Sequence, residues 1–222
     1  MTDTSSYLKS ENQIWLFGFL VVNIAAFVMA TYLGFDDIAG VLQWVESHWE
    51  SLGAVGIGVV ITTVICNLIS PQLKAVLVFW KWPHPLPGHR AFTKYLLNDP
   101  RIDPEQMVKK IGQLPSDPVE QNRLWYKIYR THQHESAVLG AHRDFLLTRD
   151  IAWLSFAILG LFGIGAALLG ESTLQKLWYP FYLFAQYLAA ALAARRNGIR
   201  LVRNVLAIEA VGNINLSEDP SS

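Results

Sequence analysis

Arg130, His134 and His142 are the residues of this chain best equipped for chemistry. They lie in the run Arg130-Thr131-His132-Gln133-His134-Glu135, followed by His142-Arg143-Asp144. An arginine and a histidine four residues apart on a helix are neighbours, and such a pair can stabilise and protonate a phosphate-transfer transition state. A dimer would juxtapose two such sites. His134 and His142 are separated by about two helical turns, so an unbroken helix puts them on one face with Val138 between them. A zinc site needs three or four converging ligands, with histidine pairs at i,i+3 or i,i+4. That spacing is absent, and neither a metal nor a cofactor is expected. Solvated polar groups on an aqueous helix are the simpler reading of the run.

A second set of residues is arranged to hold an anion. Arg196, Arg200 and Arg203 follow at i, i+4 and i+7 on one helix face, with Arg195 beside them and Leu201, Val205 and Ile208 on another face. Such a helix fits the cytoplasmic headgroup layer, where basic residues attract anionic lipid. The same cations would also suit a phosphorylated signal. No phosphate-cradling glycine loop, nucleophile elbow or HExxH pair is present. The glycines of Gly160-Leu161-Phe162-Gly163-Ile164-Gly165 fall inside an apolar stretch, not between a strand and a helix.

The elements that must position these residues are dominated by four apolar stretches, about 17–22 residues each, enough at 1.5 Å per residue to cross a hydrocarbon core. They run from Ile14 to Phe35, Leu52 to Ser70, Ile151 to Gly170 and Leu177 to Ala194. The 222 residues are 52% hydrophobic and 16% charged, against about 25% charged in ordinary soluble domains. The formal net charge is zero, so whole-molecule attraction to nucleic acid is not indicated. The single cysteine, Cys66, excludes an intrachain disulfide and a cysteine-rich metal site. No Asp, Glu, His or Arg sits mid-span, which argues against a coupled transporter. The polar span residues Asn23, Asn67 and Gln186 are suited to hydrogen bonds between helices.

Loop charge sets the expected topology. The loop Gly34 to Ser51 has no Lys or Arg, and Glu171 to Lys176 has only Lys176. The segment Lys81 to Asp150 holds eleven, and the tail adds the four arginines. The middle segment and both termini are therefore expected in the cytoplasm of a cell inner membrane, with the first span an uncleaved anchor. Trp15, Trp44, Trp49, Trp80, Trp82, Trp153, Trp178 and Tyr179 fall near span ends, where aromatic belts form.

The expected fold is all-α. Residues 1–80 form a transmembrane helix pair, 81–150 a cytosolic helical segment, 151–194 a second transmembrane pair, and 195–222 a basic juxtamembrane helix with a disordered tail. Ser70-Pro71 predicts a break, with a helical extension over 71–80 and Lys74 snorkelling to the interface. Pro83, Pro85, Pro87 and Gly88 predict a stiff connector. Asp103-Pro104-Glu105 predicts a capped helix to about Gly112, Asp117-Pro118 a second cap with helix from about Val119 to Thr131, and Glu135 opens a helix running into the third span. Small residues at four-residue spacing (Ala54 and Gly58, Gly163 and Ala167, Ala166 and Gly170, and the row Ala185, Ala189, Ala193) suit close helix packing and self-association. These features together lead to the expectation of a non-enzymatic oligomer in the lipid bilayer. Its cytosolic segment docks a protein or small anionic ligand, and its spans transmit the event or form a pore, as stress or phage-defence effectors do. The alternatives are a membrane-anchored hydrolase using Arg130, His134 and His142, or a passive accessory subunit.

Overall fold

Residues 4–29, 62–169 and 173–211 are described by the computed structural model, and they form helices with no strand among them. Helix α1 spans Thr4–Val28. Residues 62–67 are helical, and the helix breaks over Leu68–Ser70 before α2, Pro71–Phe79. The Ser70 hydroxyl accepts from the Leu73 amide (3.3 Å), and proline at the first position loses no hydrogen bond, so the break and restart have a local cause. A 3₁₀ turn (Pro87–Arg90) and a π turn (Ala91–Leu96) follow. Asp103 caps α3 (Pro104–Ile111) through the Glu105 amide at 2.9 Å, and Gly112 ends it at φ 81°, a conformation that suits glycine. Asp117 caps α4 (Pro118–His132) through the amides of Val119 and Glu120. Helix α5, Ser136–Ile158, continues through a π turn (Leu159–Gly163) into α6, Ile164–Leu169. Helix α7 runs without interruption from Thr173 to Val211 and carries Pro180 within it.

Two helical runs, Ser136–Leu168 and Lys176–Val211, are long and apolar enough to cross a membrane, and Glu11–Phe27 is a shorter apolar helix. Most of the second apolar stretch lies outside the described residues. So do Ala54, Gly58, Gly170, the loop 34–51 and the tail 212–222.

The chain divides into two compact units, one of Met1–Val78 with Leu146–Ala194, the other of Phe79–Phe145 with Arg195–Ser222. In the first, Ile158, Ala166, Tyr179 and Leu183 form one buried cluster, and Leu16, Cys66 and Leu154 another. Several of its polar groups are matched within the unit, while the buried Ser155 and Tyr179 hydroxyls have no hydrogen-bond partner among the described residues. Gln186 donates to Asn23 Oδ1 (3.0 Å), Asn23 donates to the Phe19 carbonyl (2.9 Å), and Trp153 donates to the Ile65 carbonyl (3.1 Å). Asn67, in contrast, is exposed. Lys74 does not snorkel. It is 3% exposed and its ammonium lies 2.8 Å from Asp150 Oδ1, which also accepts from Arg149 Nε (3.1 Å) and Nη2 (3.0 Å). The expectation failed because it weighed Lys74 by its distance from the end of a stretch, while its partner lies 76 residues away.

In the second unit the segment 83–88 is not a free-standing connector. Pro85, Pro87 and Gly88 are buried. Arg90 donates to the carbonyls of His84 (3.1 Å) and Pro85 (3.1 Å), fixing this proline-rich loop from inside. Gly88 lies against Asn122 and Trp125, where any side chain would collide. Gln121, 1% exposed, ties the π turn to α4. Its Oε1 accepts from the amides of Phe92 (3.1 Å) and Thr93 (3.2 Å) and from the Thr93 hydroxyl (3.1 Å), while its Nε2 donates to the Ser116 carbonyl (2.9 Å). Leu201, Val202, Val205 and Leu206 of α7 are buried in protein, not laid along a headgroup layer. The juxtamembrane helix expected there is a packed core element of this unit. Gly198 explains the close approach of α7, since a Cβ there would sit 3.0 Å from the rings of Phe79 and Phe145.

Candidate functional site

The arginine face of α7 is one wall of a groove of about 610 Å³, lined by Lys94, Tyr95, Arg101, Arg196, Ile199, Arg200, Arg203 and Asn204. Arg196, Arg200 and Arg203 arrive there because the i, i+4, i+7 spacing puts them on one side of a helix whose Leu201 and Val205 side is buried. Lys94 comes from the π turn and Arg101 from the loop before α3. Neither is near the arginines in sequence, so no sequence pattern announces the opposite wall.

Five cations line the groove, and two of them are already neutralised. Asp99 takes the Arg101 guanidinium in a two-pronged grip, Nε to Oδ1 at 2.9 Å and Nη2 to Oδ2 at 2.8 Å. These hydrogen bonds hold the Asp99 carboxyl below its ordinary pKa against the opposing effect of burial. Arg101 also donates to Asn204 Oδ1 (3.2 Å). Arg200 pairs with Asp144 at 2.6 Å, a carboxylate that Arg143 approaches at 3.8 Å. Lys94, Arg196 and Arg203 make no salt bridge among the described residues, although Arg203 is close enough to add to the depression of the Asp99 pKa. Lys94 sits over the Tyr95 ring (5.9 Å), Arg196 is exposed, and the Nε of Arg203 is buried without an acceptor. Guanidinium and ammonium groups that line a groove without a salt bridge are best satisfied by an oxyanion.

The positive field extends past the groove. The Lys81 ammonium is pushed below its ordinary pKa, chiefly by Arg90, with burial, Lys94 and Arg195 adding to it. Arg195 itself does not line the groove. Its guanidinium stacks on Trp80, 3.5 Å from the ring centre, and Trp80 holds a positive φ of 49°.

The residues singled out for catalysis are placed differently from the expectation. Helix α4 ends at His132 and α5 starts at Ser136, so His134 is exposed in the turn between them. The unbroken helix that would have aligned His134 with His142 does not exist. His142 engages the Tyr129 hydroxyl through Nδ1 (2.9 Å), and Arg130 is exposed near the end of α4. His132 has a carboxylate partner, its Nε2 lying 2.6 Å from Glu209 Oε2, with the Lys110 ammonium 2.9 Å from Oε1. Burial raises the Glu209 pKa, but the hydrogen bonds from His132 and Lys110 outweigh it and bring the carboxyl below its ordinary value. No group of three or more His, Cys, Asp or Glu able to hold a metal occurs among the described residues.

Of the small residues, Gly163 is buried, with Leu159 and Pro180 of its own unit as its nearest neighbours. Ala167, Ala185 and Ala189 are exposed and Ala193 is half-buried. Comparison with protein-family models, with curated proteins and with solved structures finds no match to this chain.

Proposed function

We propose that this is a non-enzymatic, multi-pass protein of a cell inner membrane, with both termini and residues 81–150 in the cytoplasm, which docks an anionic ligand in the groove of its second unit. The observation that carries the docking is the groove itself, where five cations face two paired carboxylates, Asp99 and Asp144. The loop charges support the orientation. Two apolar runs of membrane-spanning length support the setting, and the apolar α1 is consistent with it.

The same proposal extends to signalling. Helix α7 contains both the fourth apolar stretch and the groove arginines, so ligand occupancy is covalently continuous with a membrane segment. Transmission to the spans, self-association through the exposed Ala185 and Ala189 row, and pore opening in a defence response rest on that continuity and on architecture. The hydrolase reading has no observation in its favour, since His134 lies in a turn and His142 serves Tyr129.

One experiment tests docking and orientation together. Labelled long-chain inorganic polyphosphate is offered to inside-out vesicles and to right-side-out spheroplasts containing the full chain. Retention by the inside-out vesicles alone is expected, and an Arg196→Glu, Arg203→Glu variant should lose it. Retention on the right-side-out face overturns the orientation. Absence of retention on either face, or an unaffected variant, overturns the docking.

A further inference from the structure

We infer that the groove is matched to a ligand carrying two phosphates and about three negative charges, such as a diphosphate or a phosphomonoester beside a phosphodiester, in preference to a single phosphate. This inference rests on the docking proposed above and asks which anion the site takes.

Charge is the first argument. Five cations line the groove and two carboxylates, Asp99 and Asp144, are salt-bridged to Arg101 and Arg200, with Asp99 also felt by Arg203, so a balance of about three positive charges is left for a ligand. A phosphodiester brings one negative charge and leaves two cations facing each other unmatched. A phosphomonoester brings about two, and a diester with a monoester about three.

Length is the second argument. Arg196 and Arg203 are separated along α7 by about 10 Å at 1.5 Å per residue, further than one phosphate extends. Two phosphates can be served at two levels of the helix. Arg196 would hold one, and Arg203, which lines the groove seven residues on, the other. Lys94 lines the groove from the π turn.

Depth is the third argument. The fourth apolar stretch ends at Ala194, so along the helix Arg196 is about 3 Å and Arg203 about 14 Å beyond that end. The first distance matches a headgroup layer about 5–8 Å deep on each face, and the second is past it. A lipid with a phosphodiester at its glycerol and a monoester further out would present its two phosphates at these depths. A soluble diphosphate carries a similar charge and can enter from the aqueous side, with the long arginine side chains converging on its adjoining phosphates.

The test uses the full chain and separates the two sources. In detergent micelles, inorganic orthophosphate is compared with inorganic pyrophosphate by calorimetric titration. In nanodiscs of phosphatidylcholine, phosphatidylglycerol is compared with phosphatidylinositol 4-phosphate at equal total lipid charge, reading the lipid that native mass spectrometry finds retained on the protein. Each additional phosphate charge matched by a surface cation is worth about fivefold, so the two-phosphate probe should be held about fivefold better in the soluble arm, with one extra charge, or about 25-fold better in the nanodisc arm, with two. The exposed-residue pair Lys94→Gln, Arg196→Gln should erase the preference without disturbing the fold, and Lys109→Gln on α3 should leave it intact. A preference in the soluble arm identifies a free ligand and one in the nanodisc arm a lipid, and either supports the inference. Equal binding of one- and two-phosphate probes in both arms overturns it while leaving anion docking in place. If the two-phosphate preference survives the double substitution, the groove is not its source and the inference also falls. Failure of every probe, including polyphosphate, would remove the docking reading itself.

Discussion

Asp150 is predicted to be worth more to stability than Lys74, although they form one ion pair. Asp150 Oδ1 accepts from three donors, Lys74 Nζ at 2.8 Å, Arg149 Nε at 3.1 Å and Arg149 Nη2 at 3.0 Å. All three residues are 3–7% exposed. Lys74→Met removes one cation and replaces it with an apolar chain of similar length, leaving a one-to-one Arg149–Asp150 pair. The loss is one charge-assisted hydrogen bond, about 1.5–3 kcal/mol, partly offset because an ammonium no longer has to be desolvated. Asp150→Asn keeps the shape but leaves two buried cations with no anion between them. Removing one partner from a buried pair costs about 3–5 kcal/mol, and here the remaining charges also repel. In a chain of this size each kcal/mol moves the melting point by about 2–4 °C. Asp150→Asn should therefore lower it by about 6–20 °C, and Lys74→Met by less than half as much. The double substitution should be more stable than Asp150→Asn alone, because it removes the repulsion. The assay is fluorescence-detected size exclusion of detergent-solubilised protein after heating. Equal losses for the two single variants, or a double variant no better than Asp150→Asn, would refute the three-donor account.

Two further predictions concern the second unit. Gln121→Leu keeps the bulk of the side chain but leaves the buried Phe92 amide without its acceptor and the Ser116 carbonyl without its donor, so stability should fall by about 2–4 kcal/mol. A melting point within about a degree of the parent would show that Gln121 is not the tie between the π turn and α4. Glu209 predicts a pH dependence whose sign follows from its lowered pKa. Its contribution is fully present above the ordinary carboxyl value of 4.5 and is lost as pH falls through the lower folded value. Melting points followed downward from about pH 6 should drop more steeply below 4.5 for the parent than for Glu209→Gln, while Lys110 and His132 remain in place. Parallel curves would mean that the contacts with His132 and Lys110 contribute nothing to folding.

What could be read from the sequence was local. The Asp103 and Asp117 caps, the Ser70 break and the Gly112 stop each depend on a few adjacent residues, and each appears where its pattern lies. The shared face of Arg196, Arg200 and Arg203 was equally legible, because helical spacing alone determines it. The rest of the groove was hidden. Lys94 and Arg101 belong to other elements, and Arg200 and Asp144 are 56 residues apart. The break after His132 was legible as well, since one helix was expected to end near Thr131 and the next to open near Glu135.

The least legible feature was the medium around each apolar face. Hydropathy measures aversion to water and says nothing about whether lipid or protein satisfies it. Leu201 and Val205 have the spacing of a headgroup-layer helix, yet protein buries them, and the arginines opposite them therefore line a groove. Lys74 shows the same ambiguity from the polar side. A lysine at the end of an apolar stretch can reach for water or be matched inside, and only the presence of Asp150 decides. The distinction matters for function. Arginines on a lipid-facing helix would bind any anionic surface in proportion to its charge. Arginines held across a groove from Lys94, with two carboxylates already spending part of the charge, can select by the number and spacing of phosphates.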